Sequence, residues 1–143
     1  MSQTFTYIFT DQSGGTDDIT VTASTDVTAI GGGAVSGDGY AVTAISGSID
    51  GVKIAGEVGN PGSVQTSSNG AIIYDNAIFP NAAAGGEYNG SNGSIDGIDV
   101  YGLEFSVGGT EYNLFVQNGV FEFVPETNTG AQQTITLVST DAP

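Results

Sequence analysis

Residues 98–125 read IDVYGLEFSVGGTEYNLFVQNGVFEFVP, and this stretch decides the fold. Phe105, Tyr112, Phe121 and Phe123 alternate with Glu104, Glu111 and Glu122, the period-two pattern of strands with one buried face. Gly108-Gly109 joins 100–107 to 110–117, and Asn118-Gly119 leads on to 120–125. Both are two-residue hairpin loops, because such turns need positive φ at their centre. A three-stranded meander over 98–125 follows.

The same alternation extends outward in both directions. Phe5, Tyr7 and Phe9 share one face of residues 3–10 against Thr4, Thr6 and Thr10, and Ile19, Val21 and Ala23 share one face of 18–24. Strands are expected at 40–49 and 52–58 around Asp50-Gly51, at 71–79 up to Pro80, and at 132–139 with Ile135 and Leu137 on one face. Residues 59–70 and 81–97 read as polar, Gly- and Asn-rich loops, and no segment has helical periodicity. The fold expected is all-β: one domain over 1–143, an antiparallel β-sandwich or jelly roll of eight or nine short strands. Gly47-Ser-Ile-Asp-Gly-Val52 recurs as Gly93-Ser-Ile-Asp-Gly-Ile98, the mark of a duplicated half or of two similar Asp-Gly hairpins.

Composition agrees. Twelve Ile and thirteen Val stand against three Leu, a β-branched bias suited to pleated sheet. Leu, Ile, Val and Phe make 35 of 143 residues, above the roughly 20% at which chains stay disordered. Sixteen Asp and Glu face a single Lys53, with no Arg and no His, for a net charge of −15. Nucleic acid and anionic lipid are therefore excluded as partners, since both demand clustered cations. Without Cys or His, thiolate nucleophiles, imidazole bases, zinc sites and haem ligation are also excluded. No apolar run approaches the roughly 18 residues of a membrane-spanning helix. Met1-Ser2-Gln3 opens into a strand with no basic or apolar leader region, so a Sec signal is not expected in this sequence.

Carboxylates are the chemistry left. A glycosidase pairs two of them at about 5–10 Å, and Glu104, Glu111 and Glu122 come close enough across the meander. Their alternation with aromatic residues reads instead as the solvated outer face, so no catalytic residue is expected. Calcium, which takes carboxylate and carbonyl oxygens from loops, is the expected use of the acids if a cofactor is bound. Its candidate ligands are Asp96 and Asp99 with Asn89 and Asn92, and Asp17 and Asp18 after Ser13-Gly-Gly15. The same two Asn open N-x-Ser sequons. Tyr74, Tyr88 and Tyr101 are the aromatics expected at the surface, Tyr88 and Tyr101 being the candidate contacts for a sugar.

The chain ends carry a further signal. Residues 1–10 and 127–140 hold no charged side chain, whereas edge strands are ordinarily protected by Lys, Pro or inward charges. Strands 2–10 and 132–139 are thus suited either to pairing within their own domain or to completing a neighbouring subunit. In the second case Phe5, Tyr7, Phe9, Ile135 and Leu137 form the assembly strands of a head-to-tail filament.

From Tyr40 onward the chain resembles bacterial exported β-proteins of the PEP-CTERM-associated type. The likeness rests on YAVTAISGSIDG (40–51), DNAIFP (75–80), LEFSVGGTEYNLF (103–115) and TITLV (134–138). It implies a secreted β-sandwich associated with exopolysaccharide, biofilm or cell-surface material, without catalysis. The leader and C-terminal sorting tail of that family are not seen here, which favours release or self-assembly over anchoring. The function expected is a non-enzymatic subunit of an extracellular fibre or biofilm matrix, assembled from copies of itself by donor-strand complementation. The alternative is a monomeric secreted carbohydrate- or calcium-dependent binding module.

Overall fold

The computed structural model describes residues 1–30, 37–88 and 91–143, the side chains of 87, 88, 91 and 92 excepted. Eight strands make the body: β1 (Ser2–Thr10), β2 (Thr16–Ala29), β3 (Asp38–Ile49), β4 (Val52–Glu57), β5 (Leu103–Val107), β6 (Thr110–Gln117), β7 (Val120–Pro125) and β8 (Gln133–Thr140). Each pairs antiparallel with its neighbours in the chain, and β8 returns to pair with β1. The result is a closed up-and-down ring. A 3₁₀ turn at Thr129–Ala131 interrupts the β structure.

The all-β, antiparallel expectation therefore stands, but the strands do not divide into the two sheets of a sandwich or jelly roll. Alternation reveals only which face is buried, and a ring and a sandwich bury the same face. Closure is decided by curvature. Register shifts within β2 (between Thr22 and Val27), at Ile8/Phe9 and at Ser106/Val107 bend the strands, as bulges do in barrels. Closing the ring gives most of the ladder a partner on both sides.

Turn chemistry sets the registers. Asn118 and Gly119 have φ of 53° and 81°, and Asp50 and Gly51 have 49° and 80°, the double left-handed pair of a type I′ hairpin. Asp96 and Gly97 repeat it at 49° and 87°, with Ile95 opposite Ile98 as Ile49 is opposite Val52. The repeated hexapeptide thus forms two similar hairpins, one between two strands of the ring and one in the connection 58–102. The strand expected over 71–79 survives only as Ile73–Tyr74 and Ala77–Ile78, because Asn76 at φ 48° turns the backbone between them.

Inward side chains fill the ring: Phe5, Tyr7, Phe9, Ile19, Val21, Leu103, Phe105, Leu114, Phe121, Phe123 and Ile135 are among its buried residues. Tyr112 stacks on Phe123 at 4.7 Å, and Phe9 meets Phe121 edge-on at 5.2 Å. The long connection 58–102 contributes Ile78 and Ile98 to the same core. The Tyr7 hydroxyl donates to the Asp96 carbonyl at 2.6 Å, tying the second hairpin to the ring. Both terminal strands lie in their own ring, with Phe5, Tyr7, Phe9 and Ile135 buried and Leu137 half-buried against the core.

Candidate metal centre

The connection after β4 folds back over the outside of β5, β6 and β7. Val58 N–H donates to the Glu104 carbonyl at 3.0 Å, and Asn76 Oδ1 accepts the Glu104 N–H at 2.9 Å while its Nδ2 donates to the Val58 carbonyl. Beyond this clamp Ile72 and Tyr74 pack on Phe115 and Val124, the outward residues of β6 and β7. Glycine at 59 permits the approach: its φ is 82°, and a Cβ there would run into the Tyr74 hydroxyl. An outer face that alternation marks as solvated is in fact covered.

Three carboxylates lie under that cover. Glu111 stands opposite Ser106 on β5, and Glu104 opposite Asn113 on β6, so the two acids are diagonal neighbours. The ladder of β6 and β7 continues through Glu126 N–H to the Glu111 carbonyl at 2.9 Å, which sets Glu126 beside Glu111. One carboxylate oxygen from each of the three lies within 4.8 Å of the others. Glu104 is fully buried and Glu126 is 7% exposed. Among the described residues, neither Glu104 oxygen, nor Glu111 Oε1, nor Glu126 Oε2 has a hydrogen-bond partner. The loop above supplies two contacts, Ser68 Oγ to Glu111 Oε2 and Asn69 Nδ2 to the Glu126 carbonyl.

Such an arrangement is costly without a counter-charge. Like charges across a ladder repel, and an unpaired buried carboxylate is strongly disfavoured. Burial, then the charges of Glu111 and Glu126, push Glu104 up to about 9. Tyr74 is pushed up to about 12 by burial and by Glu104, Glu111, Glu126 and Glu57, and burial lifts Glu57 to about 8. The chain cannot neutralise this cluster from within, since its one Lys, Lys53, is exposed and it has no Arg or His. A proton or a cation from solution must do so. Oxygens within 4.8 Å of one another fit a hard cation with ligands at 2.3–2.6 Å, and the all-oxygen donor set suits Ca²⁺.

The residues singled out from sequence take other places. Asp96 sits in its hairpin turn, apart from Asp99. Asp99 is fully buried, accepting Gly102 N–H at 2.7 Å and Gly86 N–H at 2.8 Å. Burial and the adjacent Asp99 carboxylate raise Asp75 well above the ordinary range. Asp17 joins Asp11 and Asp50 at one end of the ring, while Asp18, one step along β2, faces outward and is exposed. Glu122 is half-exposed and accepts from Thr134 Oγ1 at 3.2 Å. The Tyr88 and Asn92 side chains and all of Asn89 lie outside the described residues. Tyr101 is half-buried and lines a groove of about 290 Å³ with Ile72, Asn113, Phe115, Gln117 and Gln132.

Sequence reasoning named Glu104 and Glu111 but read them as solvated, and it missed Glu126 because Pro125 ends the alternation. The available signal was Ala71-Ile-Ile-Tyr74, an apolar run inside a polar connection that needs an apolar partner. No family model, curated protein or solved structure matches the chain.

Proposed function

We propose that this chain is a non-enzymatic, calcium-binding β-barrel module of the cell exterior, holding one Ca²⁺ between Glu104, Glu111 and Glu126. The observation that carries this reading is a triad of carboxylates, two of them buried, with four buried oxygens that have no hydrogen-bond partner among the described residues, in a chain with a single, exposed Lys. An exterior location accords with the resemblance to exported proteins and with the weak, 10⁻⁴–10⁻³ M affinities of extracellular calcium modules. The ion would also order the loop around Ser68 and Asn69. That loop runs directly into Ala71, Ile72 and Ile73 of the adjoining groove, so neutral ligands such as an exopolysaccharide would bind beside Tyr101 in a calcium-dependent way. Thermal unfolding in chelator and in millimolar Ca²⁺ tests the reading. A Ca²⁺-dependent rise in Tm that is smaller in Glu104→Gln than in wild type supports it, and an equal rise in the two proteins, or none in wild type, overturns it.

The fibre-subunit reading is favoured by one separate observation. β8 pairs with β1 only from Tyr7 to Thr10, so in the ladder Ser2–Thr6 of β1 pair with β2 alone, the Thr6 N–H donating to Asp141 Oδ1 at 2.7 Å. The β7 partners of β8 end at Ile135, and Val138 beyond them is 62% exposed. These short open edges of the uncharged terminal strands are where a second copy would add a strand.

A further inference from the structure

A second set of acids comes together at the β1–β2 and β3–β4 turns. Asp11 follows β1, Asp17 lies near the start of β2, and Asp50 opens the β3–β4 turn. One carboxylate oxygen from each lies within 4.8 Å of the other two. Asp11 Oδ1 is already oriented, accepting the Ser13 and Gly15 N–H groups at 3.0 and 3.1 Å and the Ser13 hydroxyl. Asp50 reaches over from its own turn to the same Ser13 hydroxyl at 3.4 Å.

Asp17 is the independent sign of a ligand. It occupies a core-facing position, in step with Ile19, Val21 and Ala23, and is 1% exposed. Asp50 N–H donates to its Oδ1 at 3.2 Å, but its buried Oδ2 meets no hydrogen-bond donor among the described residues and faces only the carboxyl of Asp11, another acid. Two buried acids and an exposed third, with a hydroxyl beside them and Lys53 exposed on β4, make an oxygen cage open to water on the Asp50 side.

We propose that Asp11, Asp17 and Asp50 form a second divalent-cation site, for Ca²⁺, that rivets the β1–β2 turn to the β3–β4 turn. Bound water completes the coordination through the exposed Asp50 side, which suits the variable six to eight oxygens of Ca²⁺ better than the strict octahedron of Mg²⁺. Gly15 is part of the device: a Cβ there would run into Asp50 Oδ1, so glycine lets that carboxylate fold onto the turn. This site shares no residue with the Glu triad and stands or falls separately.

The test is an amide NMR titration of the chelator-treated, full-length protein with Ca²⁺ alone, up to about 10 mM, above the range of extracellular modules. Ser13, Gly15 and Asp50 amides report this site through their bonds to Asp11 and Asp17. The expected result is saturable shifts of all three, abolished in Asp50→Asn and in Gly15→Ala, which displaces the Asp50 carboxylate without removing any charge. Asp18→Asn, an exposed control on the same strand, should keep them. The shifts should persist in Glu104→Gln, separating this site from the triad. Absence of saturable shifts in a folded wild-type protein, or their survival in Asp50→Asn, overturns the proposal. Equal shifts with Mg²⁺ at the same concentration overturn the assignment to Ca²⁺.

Discussion

Glu104 and Glu111 are diagonal neighbours across the β5–β6 ladder on the outside of the ring, the first buried and the second half-buried, with Glu126 completing a triad of oxygens within 4.8 Å. Their placement converts an ordinary outer face into a concentrated negative site, because the connection 58–76 removes the water that would have screened it. An excess of acids over the whole chain thus acquires a specific address.

Replacing Glu104 by Gln removes an ionisable group while keeping the shape of the side chain. In chelator the variant should melt at a higher temperature than wild type at neutral pH, because Gln folds without the cost of protonating a carboxyl whose burial pushes it up to about 9. In Ca²⁺ the order should reverse. An ion at 100 times its Kd stabilises by about 2.7 kcal/mol, roughly 5–10 °C of Tm for a chain of this length. Calorimetry under both conditions checks it.

The chelator-treated protein should lose stability as pH rises. Burial, the leading cause in each case, puts Asp17, Glu57 and Glu104 at about 7, 8 and 9, against an ordinary carboxylate near about 4. Between those limits the folded chain holds more protons than the unfolded one, so the slope of unfolding free energy with pH is negative. The stabilisation is complete below about pH 4 and is lost as pH climbs through 7 to 9. Tm measured at pH 5, 7 and 9 should fall steadily in chelator and fall less with Ca²⁺.

How much of this was legible in the sequence follows from what alternation encodes. The hairpins at Gly108-Gly109, Asn118-Gly119 and Asp50-Gly51 were readable because each turn needs positive φ and supplies Gly, Asn or Asp for it. The inward residues Phe5, Tyr7, Phe9 and Ile135 were readable for the same local reason. Ring closure was not, since the pairing of β8 with β1 spans nearly the whole chain and leaves no local mark. The triad was hidden by a similar long-range event. Glu104 alternates outward as expected, and only the return of Ile72 and Tyr74 onto Phe115 and Val124 buries it.

Asp75 and Asp99 should respond to mutation unequally although both are fully buried. Burial and the neighbouring Asp99 disfavour ionisation of Asp75 in the folded chain, and Asp75→Asn removes that cost, so it should not lower Tm at pH 7. Asp99 accepts two backbone N–H groups, from Gly86 and Gly102. An Asn there has one acceptor oxygen, so Asp99→Asn should cost about 1–3 kcal/mol. Denaturant unfolding of the two variants makes the comparison.

Gly59→Ala should weaken the cover. The residue has φ 82°, and an added Cβ would collide with the Tyr74 hydroxyl and lie 2.5 Å from Gln65 Oε1. A loss of more than about 1 kcal/mol is expected from the backbone conformation alone, together with weaker Ca²⁺ binding as Tyr74 is displaced. Titration of a folded Gly59→Ala protein checks the second part.

If copies assemble through the open edges of β1 and β8, a charge there should prevent it. Val138 is exposed, so Val138→Lys should fold as wild type, with an unchanged melt, yet fail to form filaments. Negative-stain electron microscopy of native-purified wild-type and variant protein distinguishes the outcomes. Dispersed particles in both would remove the fibre reading at the concentration used.

The most direct measurement of the central claim is calorimetric titration of Ca²⁺ into chelator-treated wild-type protein and into Glu104→Gln. Saturable binding in wild type, with one ion fewer taken up by a folded Glu104→Gln, is the result predicted. Equal uptake by the two proteins, or none by wild type at millimolar Ca²⁺, would contradict it.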